Sequence, residues 1–329
     1  MSDSSFCSNR LVRYSIPDSA VILDAEITAV YGNADAIVTI ISDDGYYESG
    51  CNFNDLLCKH NLKGTIAGAV KILKPNYINW KKLINVGNVE IVNHSYDHVR
   101  MEKGSRYSFS YLILHHEIVD ADKYIEELTD TKQICFVCPE NQMCTKGYKV
   151  LGDNGFYAVR RGSRNFNSLS PDEGTEQGQW FNLCCMGVMD EGVNTEIRNN
   201  WVDYAVENKV WLIEMWHNVM YEDDGFYQTI LVPDADEHLS YIEKMSSDKS
   251  IWVATFTEAT KYIREKQNAK LYSYIIDDEI HIYVELTDRN MTYDTFNQPL
   301  TVKVLLPIRN DIVYYNVVPG KEMIIKLDG

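Results

Sequence analysis

The chain has no apolar run approaching the roughly 18 residues of a membrane span. Its opening, MSDSSFCSNR, has neither the basic start nor the apolar centre of a secretory leader. As written it reads as soluble, unexported and cytoplasmic; a leader trimmed ahead of this start would give the same opening, which leaves the compartment open. Positive charge is short as well, since 31 Lys and Arg face 48 Asp and Glu for a net charge of -17. So acidic a chain is unsuited to tracking nucleic-acid phosphates or an anionic membrane, and it accepts a neutral or cationic ligand more easily. There is no second Cys-x-x-Cys to complete a four-thiolate site with CFVC at 135–138. The eight cysteines (Cys7, Cys51, Cys58, Cys135, Cys138, Cys144, Cys184 and Cys185) are too scattered for a disulfide framework. We read them mostly as buried thiols, with Cys135 and Cys138 as core residues of a strand. Internal repeats and low-complexity tracts are also missing.

What the chain does have is alternation. With 329 residues, 45% of them hydrophobic and 24% charged, it is long enough for one large globular domain and a smaller companion. From about residue 36 to 265, the short apolar runs AIVTIIS, GTIAGAV, NVEIVN, QICFVCP, FYAVRR, VWLIEMWHNV and IWVATF read as strands. Between them, YYESGCNFNDLLCKHN and SYLILHHEIVDADKYIEELTD carry apolar residues three and four apart, the helical period. Strands alternating with helices predict an α/β fold with a parallel sheet, closed into an irregular (β/α) barrel of about seven strands. After the charged helix TEATKYIREKQNAK, the runs LYSYII, EIHIYVEL, LTVKVLLP, IVYYNVV and EMIIKL follow closely, as in a small C-terminal antiparallel β module. The expected division is an N-terminal extension packing on the barrel (1–35), the barrel itself (36–268) and a β-rich accessory module (269–329).

Only eight histidines are present, and two of them stand four apart in EIVNHSYDHVR, directly after an apolar strand. Histidines in loops are commonly just solvated. Neutral imidazole nevertheless suits zinc and its neighbours, and this offset lets His94 and His98 converge on one ion. A catalytic centre would need a third ligand, a carboxylate or another histidine, at the end of a neighbouring strand, and an open position for water. In a parallel barrel the carboxyl ends of the strands share one rim. AIVTIISDDG places Asp43 and Asp44 at that rim, and VWLIEMWHNV places His217 there as a candidate acid.

TIISDDG, NHSYDH, CPENQ and EMWHN come in the order and approximate spacing of the NodB-type polysaccharide deacetylases, carbohydrate esterase family four, which the chain resembles over roughly residues 36 to 265. The resemblance implies a (β/α) barrel and a hydrolase that removes acetyl groups from an acetylated carbohydrate. It implies Asp44, His94 and His98 as ligands of a divalent transition metal, usually zinc, with nickel, cobalt or manganese also able to serve. Asp43 would be the general base and His217 the general acid. A backbone N–H after Pro139, near Glu140, would face the oxyanion, and Met215 would stand where a leucine usually lines the acetyl-methyl pocket. Most members of that family are extracellular or associated with the cell wall. Neither the oligomeric state nor the choice between N- and O-acetyl follows from the residues.

One departure matters. Many members carry an arginine in the third motif that pairs with the base, and FVCPENQ puts Val137 in that slot. The run FYAVRRG offers Arg160 and Arg161 at the end of a later strand. Alternation sends one to the rim and the other away, and we take Arg161 as the rim-facing one. Trp180, Trp201, Trp216 and the 22 tyrosines are a further supply of rings for stacking on sugars, or of core. Two other functions share the pattern: hydrolysis of a small or cyclic amide in a closed pocket, and non-catalytic carbohydrate binding. The metal assignment predicts that His94→Ala and His98→Ala each abolish stoichiometric zinc and activity together without unfolding the barrel. Full zinc content in both variants, measured on untagged protein, would refute it.

Overall fold

The structure is a computed structural model that describes residues 14–102, 110–172, 178–223, 225, 227–306 and 311–327. The chain divides into two compact units, one spanning Thr28–Gln267 and the other joining the chain before Thr28 to the chain from Asn268 onward.

The larger unit is built on a curled parallel sheet of eight strands. Across the sheet they run Ala158–Arg160, Cys135–Val137, Val89–Asn93, Gly64–Gly68, Ala36–Ser42, Trp211–Trp216 and Met186–Gly187, and Ile251–Val253 pairs with the start of Ala36–Ser42. The seven predicted strands are all present, and Met186–Gly187 is the addition. Its two residues leave no periodicity to read. An isolated bridge between Arg160 and Leu183 links one sheet edge to the segment that leads into Met186. Helices Tyr47–Lys59, Tyr77–Val86, Ala121–Thr129, Thr195–Asn208, Val232–Ser247 and Phe256–Gln267 accompany the strands. No helix among the described residues is long and apolar enough to cross a membrane.

Strand alternation sorts the side chains into two layers. Ala36, Val38 and Ile40 pack with Leu212, Trp216, Phe53 and Trp80 in the cluster beneath the helices. Ile37, Thr39 and Ile41 therefore face the inside of the curl, as do Trp211, Ile213 and Met215; the Trp211 indole donates to Thr39 Oγ1 at 2.9 Å. On the next pair of strands, Phe136 and Val159 belong to a helix-side cluster, so Val137 and Arg160 face inward. Glu214 points to the helix side, where His238 Nε2 lies 2.9 Å from its carboxylate and both side chains are fully buried.

In the smaller unit the five predicted tail strands appear as Ala269–Ile276, Glu279–Leu286, Leu300–Leu306, Asp311–Val317 and Met323–Lys326, and all pair antiparallel. Val21–Ile22 pairs with Ala269–Ile276, and Asp24–Ile27 pairs with Leu300–Leu306. Cys135 and Cys138 are core residues, as expected, and Cys185 is also buried. The broader reading of the cysteines as mostly buried is corrected, because Cys51, Cys144 and Cys184 are half-buried and Cys58 is exposed. These four lie on helices or loops with one side toward solvent. Cys7 lies outside the described residues.

Helix packing sets one sharp constraint on the sequence. A Cβ at Gly50 would fall 2.2 Å from Trp80 Cη2, and the Trp80 ring is wholly buried. Gly50→Ala is expected to cost about 1–3 kcal/mol through overpacking, read as a lower urea midpoint at unchanged m-value.

Candidate active site

Inward-facing alternation continues past the strand ends, and this builds the site. After Ile37, Thr39 and Ile41 the next inward position is Asp43, whose N–H donates to Trp216 O at 2.9 Å and so extends the ladder by one step. The chain then turns through Asp44 (φ 74°) and Gly45 (φ 89°). Gly45 is constrained twice, by its left-handed backbone and by its approach to Gly68, whose Cα lies 3.2 Å from where a Cβ would stand. Asp44 is fixed by its own carbonyl, which accepts from Ala69 N at 3.0 Å.

From the adjacent strand, Val92 is followed two residues on by His94, only 1% exposed. Its Nδ1 lies 2.8 Å from Val137 O. A carbonyl can only accept, so Nδ1 carries the proton and the Nε2 lone pair is left for the cleft. Burial pushes this imidazole down to about 4, which keeps it neutral at physiological pH. His98 Nε2 is 3.1 Å and His94 Nε2 3.8 Å from Asp44 Oδ1. For Asp44, burial alone would raise the pKa, but the hydrogen bond from His98 and the imidazoles gathered around it hold it below the usual value. His98 moves up for the converse reason: Asp44 outweighs its burial.

The donor set fits a transition ion. The three candidate ligand atoms lie within 4.8 Å of one another, and a tetrahedral zinc with bonds of about 2.0–2.2 Å would place its ligands about 3.3–3.6 Å apart. The observed 3.1 and 3.8 Å bracket that range. Asp, His and His would leave one position open.

Asp43, Asp44, His94, His98, Glu140, Asn141, Met215, His217 and Tyr227 line one cleft of about 540 Å³. His217 is placed by its backbone, since its carbonyl accepts from Ser42 Oγ at 2.8 Å and Ser49 Oγ at 3.3 Å. Tyr227 packs against its ring in a T-shaped pair, with centroids 5.1 Å apart. Pro139 is buried at the start of a turn in which Glu140 (φ 49°) and Asn141 (φ 59°) are left-handed. Glu140 also reaches Arg100 at 3.5 Å.

The arginine expectation is corrected. Arg160, not Arg161, faces the site: its Nη2 lies 2.6 Å from Asp43 Oδ2, with 0% of the side chain exposed. Val137 and Arg160 are register partners on adjacent parallel strands, so they share a face. The guanidinium reaches the inside from the neighbouring strand at the same level. Arg161, one residue on, lies on the opposite side of the strand, near Tyr148. The three tryptophans are core, with exposures of 2% (Trp180), 7% (Trp201) and 0% (Trp216); the aromatic ring at the cleft is Tyr227, 67% exposed. Sequence reasoning also missed Asn141 and Cys185, the latter with its thiol 3.4 Å from Arg160 Nη1. Nothing in the spacing marks either of them.

No protein-family model matches the chain, and no curated protein matches it at a significant level. Among solved structures, a Mycobacterium smegmatis protein provisionally described as a polysaccharide deacetylase is 14% identical, with a TM-score of 0.54 over 75% of this chain and 96% of that one. A family-4 carbohydrate esterase from Streptomyces lividans, solved with acetate, is 14% identical over 68% and 93%, TM-score 0.43. A family-4 pseudoenzyme from Bacillus anthracis is 16% identical over 70% and 66%, TM-score 0.47. The first comparison establishes the fold: this barrel is the polysaccharide-deacetylase fold expected from the motifs.

The buried pair generates its own test. Arg160→Ala strands the Asp43 carboxylate without a counter-charge and is expected to destabilise the protein by about 3–5 kcal/mol, whereas Arg161→Ala should cost far less. Urea denaturation of the two variants distinguishes them.

Proposed function

We propose that this protein is a metal-dependent deacetylase acting on an acetylated carbohydrate. The observation that carries the reading is the convergence in one cleft of Asp44, His94 and His98 with a second, differently placed carboxylate and a third histidine. Asp44, His94 and His98 would hold the ion. When bound, zinc or a similar ion supplies Lewis acidity, which lowers the pKa of water from 15.7 toward about 7 and polarises a carbonyl.

The remaining work falls to the chain's own residues. Asp43 is divided between two tasks: Oδ2 is tied to Arg160, and Oδ1 is buried without a hydrogen-bond partner. A buried acceptor with no donor is costly, and a water entering the cleft would satisfy it. Oδ1 is thus the atom to take the proton as that water attacks the acyl carbon. Arg160 keeps the carboxylate from rotating, which fixes the direction of proton transfer. On collapse, the leaving amine or alcohol needs a proton, and His217 lines the cleft to supply it. Ser42 and Ser49 hold the His217 backbone and Tyr227 packs on the ring, so its place is set before substrate arrives. Met215, 9% exposed, would offer an apolar wall for the acetyl methyl, and a backbone N–H after Pro139, near Glu140, would serve the oxyanion.

Asp43 and Asp44 should separate in experiment although they are adjacent. Asp43→Asn is expected to keep zinc and lose about two to four orders of magnitude in acetate release from acetylated sugars; Asp44→Asn is expected to lose zinc. Near-parental turnover in Asp43→Asn would rule out the base. A zinc-loaded protein that releases no acetate from N- or O-acetylated saccharides would rule out the function.

A further inference from the structure

His94 and His98 are carried by the loop that follows Asn93, and this loop is strained: Ser95 (φ 71°) and His98 (φ 58°) are both left-handed without being glycine. Left-handed backbone at such residues persists only where the surroundings enforce it. Four consecutive amide groups show how. Ser95 N donates to Asn93 Oδ1 at 2.9 Å and His98 N to Ser95 Oγ at 3.0 Å. Between them, Tyr96 N (3.2 Å) and Asp97 N (3.0 Å) both donate to a single oxygen, Oε2 of Glu117.

Glu117 comes from outside the loop. It is 3% exposed and lies in the π turn His116–Asp120, between the helical segments Tyr111–His115 and Ala121–Thr129. A π turn carries one residue more per turn than an α-helix, and here Glu117 is turned to the loop while Leu114 and Ile118 stay in the core. The same turn makes a second tie, as Asn93 Nδ2 donates to Ile118 O at 3.0 Å. Asp97, His116 and Glu117 also lie within ligand distance of one another. The commitment of Glu117 Oε2 to two backbone donors makes it a brace for the loop, and the solvated Asp97 and His116 form no closed cage around an ion.

We propose that Glu117 is a positioning residue for the metal centre: it fixes the backbone of Tyr96 and Asp97 and so presents the His98 imidazole to Asp44 alongside His94. This rests on the metal reading above, and it needs no contact between Glu117 and the ion. What the role requires is an oxygen acceptor at the reach of a glutamate side chain, with or without negative charge.

The test is zinc titration calorimetry on the full chain, with thermal unfolding of each apo-protein alongside. Glu117→Gln keeps an oxygen at the same reach and is expected to bind zinc within about threefold of the parent. Glu117→Asp keeps the charge but falls short, and Glu117→Leu keeps the volume without an acceptor. Both are expected to weaken zinc by about 10- to 100-fold, the range for loss of supporting groups around metal ligands, with activity recovered at excess zinc. The ordering is decisive even if the leucine variant fails to fold. Tighter binding by Glu117→Asp than by Glu117→Gln would assign the effect to charge and overturn the proposal. Parental affinity in both the Asp and Leu variants would also overturn it while leaving the metal reading intact. A parent that binds no zinc would remove the metal reading and this inference together.

Discussion

The site depends on one buried ion pair. Taking a carboxylate and a guanidinium out of water costs several kcal/mol each, and their attraction offsets this only when the geometry is close. Asp43 and Arg160 meet at 2.6 Å with side-chain exposures of 5% and 0%. They stand on strands separated by several others in the sheet, so the contact forms only when the sheet has curled. A flat sheet would leave both ions buried and apart. The pair thus couples completion of the barrel to completion of the cleft. Burial alone would lower the Arg160 pKa, but Asp43 overcomes this and holds it above its ordinary value.

The fold was legible because buried parallel strands read as unbroken apolar runs, and AIVTIIS is buried at all seven positions. Asp43, Asp44, His94, His98 and His217 were legible because each follows such a run, and the ends of parallel strands share a rim. The choice between Arg160 and Arg161 was not, since a shift of one residue reverses the face and the sequence does not say where the three-residue strand Ala158–Arg160 begins. Pairing with Val137 decides it. Glu117 was hidden for a different reason: the π turn breaks the helical period inside SYLILHHEIVDADKYIEELTD, and it occupies what a regular helix would make an ordinary amphipathic position. Tyr227 follows no strand, so no periodicity pointed to it.

The loops around the cleft show what the rigid barrel makes possible. Asp44, Ser95, His98, Glu140 and Asn141 are all left-handed, and none is a glycine. At about 1–3 kcal/mol for each such residue, this is strain that a small or loosely packed protein could not hold. Three of them are restrained by backbone bonds, Asp44 O by Ala69 N, Ser95 O by Val70 N and, within its own turn, Asn141 N by Cys138 O. Asn141 adds a steric lock, since a Cβ at Gly162 (φ 109°) would fall 2.3 Å from its Cγ.

Strain and charge explain each other at this site. The backbone is left-handed at Asp44 and His98, and these two side chains leave different strand ends to meet with His98 Nε2 3.1 Å from Asp44 Oδ1. The acids and histidines so gathered leave the cleft short of positive charge, with Arg160 committed to Asp43 and His94 held neutral by burial. A divalent cation, as proposed above, would ease the repulsion between the two aspartates and give the imidazole lone pairs an acceptor. The left-handed turns and the gathered acids and histidines are therefore two aspects of one cleft, and that cleft suits the cation proposed above.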